Sequence, residues 1–200
     1  MGCGFGVAAR AGGPDPIVLR DVKGAAVRPM EGKGRKATCF LFIATDCPIS
    51  NKYAPEFGRI VRQYSPKGIA FYVVYTDVDG KLAVAAKHWK EFAYPCPGLL
   101  DPKHVLVKRA GATVTPEAAV FDATGKRLYR GRIDDLYLDF GKPRYAATVH
   151  DLRRSLDAIL TGKPVPFKTT KVVGCFIYNP PETRVDHHED TKTRRKTRIL

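Results

Sequence analysis

Apolar positions along this chain fall into two kinds of run: short continuous blocks and longer stretches with helical spacing. The block Cys39, Phe40, Leu41, Phe42, Ile43 and Ala44 is rich in β-branched and aromatic side chains and predicts a buried strand over residues 37–44. It stops at Thr45-Asp46-Cys47. Pro48 follows, and Ile49, Tyr53, Phe57, Ile60, Val61 and Tyr64 then recur at helical spacing. Proline suits the first turn of a helix, where its missing N–H has no partner to lose. Ser65-Pro66-Lys67-Gly68 breaks that helix, and a second strand is predicted over residues 69–76. Such a β-α-β unit predicts parallel strands joined by a right-handed crossover.

Weaker signals frame this unit. Residues 17–19 and 25–27 read as a short hairpin ahead of it. A helix is expected over 81–92, capped by Asp79, with Leu82, Ala85, Ala86 and Trp89 facing inward. The proline-fenced segment 94–101 reads as an extra strand, and 101–111 as a small helix. Residues 118–122 and 127–133 form antiparallel partners around the turn at 123–126. A last amphipathic helix is expected over 145–160, stopped by Gly162 and Pro164. Residues 167–178 then run extended, carrying Val172, Val173, Cys175 and Ile177. The pattern divides the chain into a flexible N-terminus (1–16), one folded domain (17–178) and a disordered basic tail (179–200) with almost nothing to bury.

Composition narrows the function classes. A chain of 200 residues with 44% hydrophobic content suits one domain with a proper core. The net charge of +14 invites a nucleic-acid reading, yet the basic residues are scattered and cluster only at 192–198. A solvated surface, with no specific nucleic acid as partner, accounts for that distribution better. No apolar stretch approaches the roughly 20 residues of a membrane span. The first residues lack both the charged and the apolar region of a secretory signal peptide, and the compartment and oligomeric state are left unassigned. The solitary His88 and His104 read as surface or partly buried residues rather than ligands. Five cysteines is an odd number, in neither a disulfide framework nor a zinc spacing, so at least one thiol stays free or pairs with another molecule.

Chemistry concentrates at Cys47. It sits between a strand and a helix N-terminus, where unpaired backbone N–H groups and the positive end of the dipole favour a thiolate. The pattern resembles the thioredoxin superfamily, whose strand, Cys-x-x-Cys and helix follow in that order. Pro55, in the helix, and Val114-Thr115-Pro116-Glu117, similar to the superfamily's cis-proline loop, sharpen the likeness. The phrase TDCPISNKYAPE, together with GRIDD at 131–135, resembles bacterial redoxin-domain proteins of the alkyl hydroperoxide reductase/thiol-specific antioxidant type. In one respect the chain departs from the pattern: Ser50 stands where the second cysteine belongs.

The resemblance implies an α/β thioredoxin-like fold: a central mixed sheet with helices on both faces, an N-terminal hairpin and a redoxin-type insertion. It implies a thiol–disulfide oxidoreductase with Cys47 as nucleophile and no bound cofactor or metal, acting on a protein or low-molecular-weight thiol or disulfide. Ser50 is then placed to donate a hydrogen bond to the Cys47 thiolate. Thr115 is placed to bond the partner's backbone, and Pro116, after a cis bond, to pack on the sulfur. Resembling redoxins carry a Gly-Cys pair in their closing segment, which marks Cys175 as the candidate resolving cysteine. Cys39, inside the central strand, and Cys96, ahead of residues 98–101, are poorer candidates, and nothing positions Cys3. An unpaired Cys175 packed in a surface groove stays open. Three other functions are weighed. A peroxiredoxin-like peroxidase needs a Thr three residues before the cysteine, where Ala44 stands, and an arginine such as Arg109, Arg127 or Arg132. A thioredoxin-like copper(I) chaperone could use Cys47, Cys175 and a histidine. The third is a non-catalytic interaction module.

Overall fold

The computed structural model describes residues 16–178 apart from Lys33 and Val78. The expected flexible N-terminus, save Pro16, and the basic tail lie outside the described residues. The central strand β3 (Ala37–Ile43) is buried at all seven positions. Its side chains alternate between two cores. Cys39, Leu41 and Ile43 face a cluster containing Phe57, Ile60 and Leu156, while Phe40 and Phe42 face one containing Leu106, Val107 and Ala110. A strand apolar on both sides must be covered on both sides.

The first cover is α1 (Pro48–Tyr64), with Pro48 in its first turn and Pro55 inside it. β4 (Ile69–Tyr75) then pairs parallel to β3 over its full length. α2 (Leu82–Glu91) follows, and β5 (Gly98–Leu100) continues the parallel set beside β4. On the opposite side of β3, β7 (Glu117–Asp122) runs antiparallel, and β8 (Arg127–Gly131) pairs with β7. β1 (Leu19–Asp21) and β2 (Ala26–Val27) form the expected hairpin, which joins β5 at the sheet edge. The result is a seven-stranded mixed sheet in the order β2-β1-β5-β4-β3-β7-β8. α1, α2 and α4 (Asp151–Leu160) supply side chains to one core, and α3 (Val105–Ala110) to the other. The α/β fold with helices on both faces is the one expected.

Four details differ from the expectation. The N-cap of α2 is Lys81, and the Asp79 carboxylate accepts the Lys81 N–H (3.4 Å) and pairs with its ammonium (3.0 Å). A carboxylate two residues ahead of the cap is too early to reach the helix's own N–H groups. The last helix begins at Asp151, six residues later than expected. Buried Asp135 accepts the N–H groups of Thr148 (2.6 Å) and Val149 (2.8 Å), which holds these residues out of the helix. A small hairpin, β9 (Tyr137–Asp139) and β10 (Lys142–Pro143), was not expected; it turns through Gly141 at φ 73°. His88 and His104, expected at the surface or partly buried, are buried.

The closing segment decides the site. β11 (Cys175–Phe176) pairs antiparallel with β6 (Val114–Thr115), with Cys175 opposite Thr115. The Ile177 N–H also donates to the Thr113 carbonyl at 3.1 Å.

Candidate active site

Cys47 is the N-cap of α1, with an extended backbone (φ −80°, ψ 109°) and a side chain that accepts the Ser50 N–H at 3.4 Å. A cysteine here fills the place usually given to Ser, Thr, Asp or Asn. The cap bond and the charge at the helix N-terminus both favour sulfur as a thiolate. The sulfur is otherwise enclosed. It lies 3.1 Å from the Thr115 carbonyl and 2.7 Å from the Cys175 sulfur, and Cys47 is 1% exposed. Both cysteines are free thiols.

The two thiols are displaced in opposite directions. Burial raises the Cys47 pKa, but hydrogen bonding with Cys175, Ser50 and the Thr115 side chain outweighs it and holds the thiol below its ordinary value. For Cys175, burial, the hydrogen bond to Cys47 and repulsion from Cys47 and Asp46 all act upward, to about 12. Of the two, Cys47 is therefore the more acidic thiol and Cys175 the one that keeps its proton longer. Burial pushes Cys96 up to about 12 and Cys39 also upward. These two are inert core thiols.

Ser50 and the cis-proline loop stand close to where the sequence put them, with one change of role. The Ser50 hydroxyl is fully buried and has no hydrogen-bond partner in this geometry; its backbone N–H makes the contact with sulfur. The Thr115–Pro116 bond is cis and Pro116 is buried. The Val114–Thr115 edge is already paired with β11, so the chain's own segment holds the position expected for a partner. The strand's approach is close enough that a Cβ at Gly174 would lie 2.3 Å from the Thr115 oxygen.

Sequence reasoning missed a polar chain behind the loop. Asn51 Nδ2 donates to the Thr45 carbonyl (3.4 Å), which leaves its Oδ1 to accept from His88 Nε2 (2.9 Å). His88 Nδ1 must then accept from the Tyr75 hydroxyl (3.1 Å). Burial lowers the His88 pKa, in keeping with this neutral tautomer. Asp77 ties the same loop from the other side, accepting the Thr45 N–H (3.3 Å) and hydroxyl (3.0 Å). The signal was Asn51, four residues after Cys47 on the helix face that meets α2. The GRIDD segment serves packing as well: Asp134 accepts the Tyr53 hydroxyl of α1 at 2.6 Å.

The arginines weighed for peroxide chemistry are engaged elsewhere. Arg109 donates to the Gly125 carbonyl and Arg127 to that of Ala110, and Arg132 pairs with Asp151 at 2.5 Å. Among the described residues, the cluster with metal-ligand spacing is Glu56, Asp134 and His150, which contains neither cysteine. Glu56 and Asp134 there are bonded to Arg153 and Tyr53.

The redoxin family profile matches residues 11–136. An uncharacterised conserved protein from Geobacillus kaustophilus is 32% identical at a TM-score of 0.71, over 83% of this chain and 89% of that one. A hypothetical protein from Sinorhizobium meliloti 1021 is 27% identical at 0.70, over 81% and 90%. A secreted disulfide oxidoreductase from Mycobacterium tuberculosis shares the fold at 14% identity and a TM-score of 0.51, over 74% of this chain and 96% of that one. No curated protein sequence matches the chain.

Proposed function

The chain belongs to the redoxin family, with the thioredoxin-like fold also seen in thiol–disulfide oxidoreductases, and from that premise we propose that it carries out thiol–disulfide exchange with Cys47 as nucleophile and Cys175 as resolving cysteine. The observation that carries this reading is the 2.7 Å separation of the two sulfurs. A disulfide bond is about 2.05 Å long, so closing the bridge needs a shift of about 0.65 Å.

The Cys47 thiolate attacks one sulfur of a partner disulfide and expels the other as a thiolate. The mixed disulfide at Cys47 is then attacked by Cys175, whose proton leaves to solvent or to the departing thiolate. The partner departs with two thiols and the protein holds a Cys47–Cys175 disulfide. Ser50 cannot take the second step, which assigns it to a cysteine from elsewhere in the fold. In the reduced state the covering strand is held by a few bonds such as Ile177 N–H to Thr113 O, so it can lift to admit a disulfide to Cys47.

Mild oxidation followed by peptide mapping without reduction tests the reading. A Cys47–Cys175 linked peptide is expected in the parent. In Cys175→Ala, a persistent mixed disulfide at Cys47 is expected instead. Recovery of both cysteines as thiols, or of Cys47 joined only to other molecules in the parent, ends it.

A further inference from the structure

The two sulfurs of the pair are not equally reachable. Cys47 belongs to the core cluster and its sulfur is enclosed by the Thr115 carbonyl, the Ser50 N–H and Cys175. Cys175 is only half-buried, and it lines a groove of about 650 Å³ walled by Val114, Phe140, Val172 and Phe176. Exchange at a disulfide is an in-line displacement: the attacking thiolate approaches opposite the sulfur that leaves. For attack on Cys47 the incoming thiolate must reach a sulfur of a residue only 1% exposed. For attack on Cys175 it can come from the groove that this half-buried residue lines.

Oxidation sharpens the asymmetry. As a dithiol the protein can lift its closing strand, but as a disulfide that strand is bonded to the sulfur it covers. Resting on the exchange reading above, we propose that the thiol which re-reduces the protein attacks Cys175, not the helix-terminal Cys47. This reverses the order usual for a Cys-x-x-Cys site, where the sulfur at the helix terminus is the exposed one.

The partner thiolate forms a bond to Cys175 Sγ as the Cys47–Cys175 bond breaks, and the electron pair stays on Cys47. A second thiol of the same partner, or a second monothiol, then attacks the partner's sulfur in the mixed disulfide. Cys175 leaves and takes up a proton. Two electrons reduce the protein's disulfide to two thiols while the partner's two thiols become a disulfide. The better leaving group departs in the first step, because Cys47 is the thiol held below its ordinary value and Cys175 the one pushed above it. Disulfide substrates and reducing thiols thus meet different sulfurs.

The test uses the full-length oxidised protein and glutathione as the probe thiol. Samples are quenched in acid at short intervals, free thiols are alkylated, and adducts are mapped. In the earliest samples glutathione is expected on Cys175 with an alkylated Cys47, at least tenfold over the opposite arrangement. Glutathione first on Cys47, on both alike, or on neither while the disulfide is consumed, overturns the proposal. A starting material without the Cys47–Cys175 linked peptide overturns the exchange reading and this one with it, so the two failures are told apart before glutathione is added.

Discussion

At the scale of single residues, one proton divides the labour between two identical side chains. Both Cys47 and Cys175 lose water, which raises both thiols; only Cys47 gains donors that offset the loss. The contact with Cys175 is the largest of the interactions that lower the Cys47 thiol, so the acidity of Cys47 belongs partly to its neighbour. Cys175→Val keeps an apolar cover over the Cys47 sulfur and removes the S–H. The midpoint of Cys47 alkylation against pH is expected below the free-cysteine value of about 8.5 in the parent. In the variant it should rise by about 0.7 pH units, equivalent to a hydrogen bond of ~1 kcal/mol. Mass-resolved alkylation rates across pH measure this, and an unchanged midpoint would assign the acidity to the helix terminus alone.

At the scale of elements, the site is a junction between α1, the loop before β7 and a two-residue strand from the far end of the chain. β11 is too short to be stable through its own pairing, and it stays because Ile177 is buried in the core beneath β3 and its N–H bonds to Thr113. Gly174 lets this happen. Its backbone lies so close to the Thr115 oxygen that any side chain forces the two segments apart. Gly174→Ala should therefore shift Cys175 away from Cys47. The yield of the Cys47–Cys175 disulfide at a fixed oxidant concentration is expected to fall several-fold, and alkylation of Cys47 to speed up. The main sheet does not include β11, so the melting temperature should change little. Equal disulfide yields in parent and variant would show that the close approach is not what brings the sulfurs together.

At the scale of the whole molecule, buried carboxylates hold the frame on which the site rests. Asp134 bonds the active-site helix through Tyr53, and Asp135 holds residues 148–149 while Arg144 pairs with it at 3.3 Å. Burial alone would raise the Asp135 carboxyl, but donors from Thr148 and Val149, with the Arg144 guanidinium, hold it well below the carboxylate range. A depressed acid contributes stability above its unfolded pKa, near 4, and loses it as pH falls toward the folded value. Asp135→Asn is expected to cost about 1–3 kcal/mol at neutral pH. Thermal melts from pH 7 to pH 2 should show the gap between parent and variant narrowing steadily as pH falls below about 4. A gap that stays constant over that range would mean the charge on Asp135 contributes nothing.

The β-α-β unit and the place of Cys47 in it were legible from the chain alone, because their causes are local. An unbroken apolar strand, a proline in a first helical turn and a 3.6-residue period leave few alternatives for residues 37–76. α1 accordingly spans Pro48–Tyr64, where the spacing put it. The cis-proline loop came through a resemblance carried by a few residues, and Cys175 came largely by excluding the other cysteines. What the sequence could not carry were interactions between segments far apart in the chain. Asp135 reaching 13 residues on to shorten the last helix is one case, and Asn51 meeting His88 across 37 residues is another. No local pattern records which polar atoms a fold will bury together, and burial is what makes such bonds matter. The same holds for the enclosed Cys47 and the half-exposed Cys175. Neither exposure is written in the residues around these cysteines, and only the packing of a closing strand over the cis-proline loop made one thiol buried and the other reachable.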